Sequence, residues 1–122
     1  MGYTILSARK FNVNLKCSIH KTGKFGFTDA TAEKLGLSRI PAVKFAIDDE
    51  SDDVMYLIPS KQEDEDAFKV NKAGNYYYVF AKMLFDSLNL DYVNSNIMFD
   101  LTEQKEGETV IYKMKRRIKP RK

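Results

Sequence analysis

This chain has no tryptophan, one cysteine, one histidine and three prolines among 122 residues. Each scarcity excludes something. A lone cysteine, Cys17, cannot form an internal disulfide and suits a reducing compartment, so a cytoplasmic protein is expected. Cys17 and His20 together are too few ligands for a structural zinc site. His20 has no nucleophile partner in the pattern, and Cys17 falls on an apolar strand face as a small core residue, so a non-enzymatic protein is expected. The apolar runs are too short to cross a bilayer, and residues 1–8 lack the charged start and long apolar core of a signal peptide. A glycine-rich phosphate loop is missing as well, Gly23 and Gly26 reading as a turn and a strand position. No cofactor and no metal are expected.

Acidic residues are absent from both ends. Residues 1–28 hold Arg9, Lys10, Lys16, Lys21 and Lys24 and no acid. Residues 29–112 hold 8 basic and all 17 acidic residues, a net of −9 within a chain of net +3. The last ten residues, 113–122, are again basic without an acid. Segregation of this kind points to a polyanion touched by the ends of the chain. The acidic run 48–53 lacks the central glycine and closing glutamate of a calcium loop and reads as a solvated hairpin turn.

What the chain does have is a near-repetition of itself. Lys21-Thr22-Gly23-Lys24-Phe25-Gly26-Phe27 returns 51 positions later as Lys72-Ala73-Gly74-Asn75-Tyr76-Tyr77-Tyr78. Upstream, Cys17 and Ile19 match Phe68 and Val70 at the same offset. Downstream the offset grows to 53 for Leu35-Gly36-Leu37 and Leu88-Asn89-Leu90, to 54 for Val43-Phe45-Ile47 and Ile97-Phe99-Leu101, and to 56 for Val54-Met55-Tyr56 and Val110-Ile111-Tyr112. Insertions thus fall between elements, and the chain reads as two copies of one small unit.

Period-two alternation over residues 3–19 predicts a strand, Lys21–Lys24 a turn, and Phe25 with Phe27 one face of a second strand. Thr28 or Asp29 can cap a short helix that stops at Gly36, and two further strands follow around Val43–Ile47 and Val54–Ile58. Each unit is therefore expected to run β-β-α-β-β, giving a mainly β protein with short helices (α+β). The expected divisions are 1–59 for the first unit, 60–67 for an acidic linker, 68–114 for the second unit and 115–122 for a flexible basic tail. Units of this size are expected to share one core. In the second, a helix from Val79 to Leu88 is apolar and lacks an N-cap.

The first unit resembles the SpoVT/AbrB swapped-hairpin family of small bacterial DNA-binding domains. The likeness rests on Ile19-His20-Lys21-Thr22-Gly23-Lys24-Phe25-Gly26-Phe27, on Glu33-Lys34-Leu35-Gly36-Leu37, and on the closing pair Val43–Ile47 and Val54–Pro59. The family's Ile-Pro before the helix is Phe27-Thr28 here. The resemblance implies a swapped-hairpin, pseudo-two-fold β-barrel made by two units, here in one chain as in the MraZ branch. It also implies contacts to duplex DNA from the first strands and turn, at Arg9, Lys10, Lys16, Lys21 and Lys24.

The basic tail, with Lys115, Arg116, Arg117, Lys119, Arg121 and Lys122, adds a flexible arm for the phosphate backbone. The expected function is that of a DNA-binding bacterial transcriptional regulator. A second reading is a protein-interaction or antitoxin-like module, binding a protein partner or a second copy through Phe80, Met83 and Leu84 on the apolar helix. A third is single-stranded nucleic-acid binding through Tyr77, with Tyr76 and Tyr78 expected in the core beside Phe25 and Phe27.

Overall fold

A computed structural model describes residues 2–5 and 15–120. Eight strands and two short helices occupy the described residues, in the order β1 (Leu15–Ile19), β2 (Lys24–Phe27), α1 (Asp29–Leu35), β3 (Ala42–Ile47), β4 (Val54–Ser60), β5 (Phe68–Ala73), β6 (Tyr76–Phe80), α2 (Lys82–Ser87), β7 (Ser95–Glu106) and β8 (Thr109–Pro120). The strands close into one antiparallel barrel, β1-β2-β6-β5-β3-β4-β8-β7. Closure leaves no open sheet edge along the ladder. Exchanging β1 with β5, β2 with β6, β3 with β7 and β4 with β8 leaves this list of neighbours unchanged. Hairpin β1–β2 pairs with neither β3 nor β4. Its neighbours are β7 and β6, while β5 takes β3.

Local chemistry explains each element. In β1, Cys17 and Ile19 are buried while Lys16 and Ser18 face outward, the pattern of a half-buried strand. Gly23 turns the chain at φ 89°, and a Cβ there would lie 2.5 Å from Cβ of Lys82, so α2 can pack on this turn only over a glycine. Thr28 caps α1, its hydroxyl accepting from the Thr31 amide. The buried Thr31 hydroxyl accepts from Lys16 N at 2.7 Å and lies 3.0 Å from Lys16 O, which fastens α1 to the start of β1. Left-handed residues close both helices, Gly36 at φ 72° and Asn89 at φ 58°.

One core serves both halves of the chain. Phe25 is fully buried, and its ring lies 5.2 Å from Phe27, 5.3 Å from Phe45, 5.8 Å from Phe85 and 5.7 Å from Phe99. The first two partners precede residue 60 and the last two follow it. Edge-on contacts among such rings add to the burial of their area.

Several expectations are corrected here. The helix expected from Val79 to Leu88 is only Lys82–Ser87. Val79 is a core residue of β6, paired with Phe25, and Phe80 ends that strand opposite Lys24. Residues 115–120, expected as part of a flexible tail, are β-paired to 95–100 through the end of β8. The second unit therefore does not stop at 114. Of the strand expected over 3–19, only Leu15–Ile19 is seen, residues 2–5 having no regular structure and 6–14 lying outside the described residues.

The two offsets 51 and 56 also fail as guides to which face a side chain takes. Ile19 pairs with Phe25 but Val70 pairs with Val79, so a match of 51 between Ile19 and Val70 forces 54 between Phe25 and Val79. Tyr76 and Tyr78 consequently point outward and Tyr77 packs against the core. Tyr56 and Tyr112 likewise take opposite faces, since Leu57 is the residue that Tyr112 opposes. A slip of one residue, or of any odd number, moves a strand's whole apolar set to the other side.

Candidate nucleic-acid interface

The outward positions of β8, β7, β1, β2 and β6 form one continuous surface. Register places Arg117 beside Met98, Met98 beside Ser18, Ser18 beside Gly26 and Gly26 beside Tyr78. A neighbouring row runs from Lys115 through Asp100 to Lys16. With strands about 4.8 Å apart, Arg117 and Tyr78 stand roughly 19 Å apart along the curved sheet. Small residues, Ser18 and Gly26, keep the middle low.

An aromatic group lies across that low ground. The Tyr76 ring stacks on Tyr78 with centroids 6.1 Å apart, and its hydroxyl shares a hydrogen bond of 2.5 Å with Nε2 of His20. Tyr76 occupies the space a side chain at position 26 would need, since a Cβ on Gly26 would sit 1.6 Å from the Tyr76 hydroxyl. Burial raises the Tyr76 pKa. Nζ of Lys24 stands 4.7 Å above the Tyr78 ring, a cation–π contact.

Lys24 flanks the group, and Lys16, Lys115 and Lys119 stand exposed on the same outward face, with Lys21 exposed on the turn. Arg116 opposes the buried Phe99, so it takes the other face of β8 and is partly buried. Among the described residues no ion pair involves Lys16, Lys21, Lys24, Lys115, Arg116 or Lys119, the pairs being Lys34–Glu103, Lys44–Asp64, Lys82–Asp86 and Arg117–Asp100. Asp100 is the single carboxylate in the two rows. Arg117 Nη2 donates to its Oδ1 at 3.2 Å, and Nε lies 2.6 Å from its Oδ2 as an ion pair, buried and without a hydrogen-bond partner.

Apart from Asp100, acid borders this surface without entering it. The turn between β3 and β4 holds Asp48 and Asp53, whose carboxyls are kept below the ordinary aspartate range. Asp48 accepts from the Glu50 amide and the Tyr56 hydroxyl, and Asp53 accepts from the Ser51 hydroxyl. Lys113 adds a smaller charge effect at Asp48, as Lys115 and Arg116 do at Asp53. The β4 side of β8 is thus partly neutralised, and the β1 and β2 side is the more strongly cationic.

Of the eleven basic residues expected to contact DNA, Lys16, Lys21, Lys24, Lys115, Arg116, Arg117 and Lys119 are described, and β1, the first turn, β2 and β8 carry them. Arg9, Lys10, Arg121 and Lys122 lie outside the described residues. The residues expected to bind a partner are divided: Phe80 is half exposed on β6, Met83 is 86% exposed on α2, and Leu84 is partly buried. The buried anchor of that helix is Phe85. Asp100 and the outward pair Tyr76–Tyr78 were missed as site residues. Alternation through Ile97, Phe99 and Leu101 already places Asp100 outward, whereas the tyrosines depended on a turn length that the repeat misread.

Among the described residues no cluster of histidine, cysteine and carboxylates could hold a metal ion, and no helix is long and apolar enough to cross a membrane. No family model, no curated protein and no solved structure matches this chain.

Proposed function

We propose that this chain is a non-enzymatic duplex-DNA-binding protein, a cytoplasmic regulator of swapped-hairpin type whose two units arose by duplication. The observation that carries the reading is the collection of Lys16, Lys24, Lys115 and Lys119 on adjacent outward strand positions, with a single acid among them. The exchange of hairpins between the halves, β1 with β7 and β5 with β3, supports the family resemblance from a separate direction.

The mechanism is electrostatic docking. Lysine ammonium groups displace counterions condensed on the phosphates, which supplies affinity and a steep dependence on salt. The acidic turns 48–53 and 103–108 repel the duplex elsewhere and so orient it on this face. Tyr76 and Tyr78 favour a second reading, a single strand whose bases stack on these partly exposed, outward rings. Anisotropy titrations with labelled duplex, single strand and RNA of equal length, at two salt concentrations, separate the two. Duplex preference with a steep salt slope is expected. Tighter binding of single strands supports the second reading, and binding of none of the three removes both.

A further inference from the structure

We propose that Arg117 reads a guanine edge in the major groove and that Asp100 is its positioning residue, an inference that rests on the duplex-DNA reading. Nη2 of Arg117 donates to Oδ1 of Asp100 at 3.2 Å, and Nε, buried and without a hydrogen-bond partner of its own, lies 2.6 Å from Oδ2 as an ion pair. One hydrogen bond and one close charge contact thus hold the guanidinium. The Nη1 donors and the second Nη2 hydrogen remain, and among the described residues no other side chain bonds that of Arg117. Two parallel donors held in a plane match the O6 and N7 acceptors of guanine.

A phosphate is the obvious competitor for the same fork, and charge decides against it. Asp100 neutralises Arg117, so the pair as a unit draws a phosphate weakly and releases few counterions. Four exposed lysines within the same surface already serve that purpose: Lys16, Lys21, Lys115 and Lys119. What the carboxylate adds is rigidity. A free arginine side chain samples many rotamers, and pinning it beforehand removes part of that entropy cost from binding. Position fits as well. Asp100 and Arg117 sit on the outward face of the β7–β8 ribbon, twelve residues a strand, and a two-stranded ribbon is one of the shapes the major groove admits.

The test uses the full chain and a randomised duplex pool. Sites enriched by the unaltered protein are expected to share a guanine, and replacing that base with 7-deazaguanine, which lacks the N7 acceptor, is expected to weaken binding tenfold or more. Arg117→Lys keeps the charge and loses the fork; it is expected to abolish the guanine preference, seen as equal affinity for the enriched site and for its guanine-substituted version. Asp100→Asn frees a cation, so affinity for random duplex rises and its salt dependence steepens while guanine discrimination falls. The 7-deazaguanine arm needs no variant, so a folding defect in either substitution leaves the decision intact. Duplex binding without a guanine preference, or a preference unchanged by 7-deazaguanine, overturns this inference alone. Failure of the unaltered chain to bind the pool overturns it together with the duplex reading.

Discussion

Hairpin β1–β2 pairs Ile19 with Phe25, closes on the backbone bond from His20 N to Lys24 O and turns through residues 21–23, whereas hairpin β5–β6 pairs Ala73 with Tyr76 and turns through Gly74 and Asn75 alone. Three turn residues against two is an odd difference, and strand side chains alternate with period two. The second hairpin therefore shows solvent the very positions that sequence matching equates with core positions of the first. Phe25 and Phe27 are buried, while Tyr76 and Tyr78 lie outside and stack. The other hairpins differ in reach. β3 and β4 have six and seven residues, but β7 and β8 have twelve each, the added length lying at the turn end, beyond the pair Leu101–Met114 that corresponds to Ile47–Met55. The halves thus differ in what they show at the surface while sharing one core.

The sharpest way to break this comparison is to ask whether the halves fold apart. Phe25→Ala in the first half and Phe99→Ala in the second each remove a fully buried ring and are expected to cost about 3–5 kcal/mol. Urea melts followed by circular dichroism and by tyrosine fluorescence should shift together in both variants. Separate transitions for the two probes would show two cores.

Next in size is the charge of the outer face. Replacing Lys16, Lys24 and Lys119 by alanine is expected to lower duplex affinity by about tenfold or more and to flatten the salt slope by roughly 2–3, about 0.9 for each lost phosphate contact. Replacing Lys61 and Lys105, which lie off that face, should leave both unchanged. Equal effects from the two sets would mean that bulk charge, not this surface, binds DNA.

Helix ends give a smaller contrast. Both helices stop on a left-handed residue, glycine at 36 and asparagine at 89. Gly36→Ala is expected to cost about 1 kcal/mol, and Asn89→Gly to change stability by only a few tenths, because asparagine tolerates that region and alanine does not. Thermal melts of the two variants check the asymmetry.

The weakest effect is a pH dependence shared by both halves and the segment between them. Asp48, Asp53, Asp64 and Asp86 all have folded pKa values held below the ordinary 3.8, Asp64 first by Lys44 and Asp86 first by the Tyr92 hydroxyl and then by Lys82. A depressed carboxyl stabilises fully above its unfolded pKa and loses that contribution as pH falls through the folded value. Stability is thus expected to decline below about pH 4, and Asp86→Asn to make the decline shallower in acid-titrated urea melts.

Much of this was legible beforehand, because local signals agreed with the fold. Thr28 and Gly36 bounded α1, and period-two burial at Cys17 and Ile19 marked β1. The order of strands and helices also followed from the near-repetition. What escaped was anything set by the partner strand. Residues 115–122 read as a basic tail because Lys115, Arg116, Arg117 and Lys119 dominate, yet 115–120 continue the strand of the buried Tyr112 and Met114 and pair with 95–100 of β7. Val79 and Phe80 looked helical beside Met83 and Leu84, but β2 recruits them as strand and only six residues remain for the helix. The lysines of the site could be named from composition; their arrangement around Asp100 and Tyr78 required the register.

The most direct test of the central claim is a duplex-DNA titration followed by amide chemical-shift changes in the full chain. Perturbations are expected at Lys16, Ser18, Lys24, Tyr78, Arg117 and Lys119, the outward positions of adjacent strands. Changes confined to Met83 and the rest of α2, or to the acidic turns, would contradict the account.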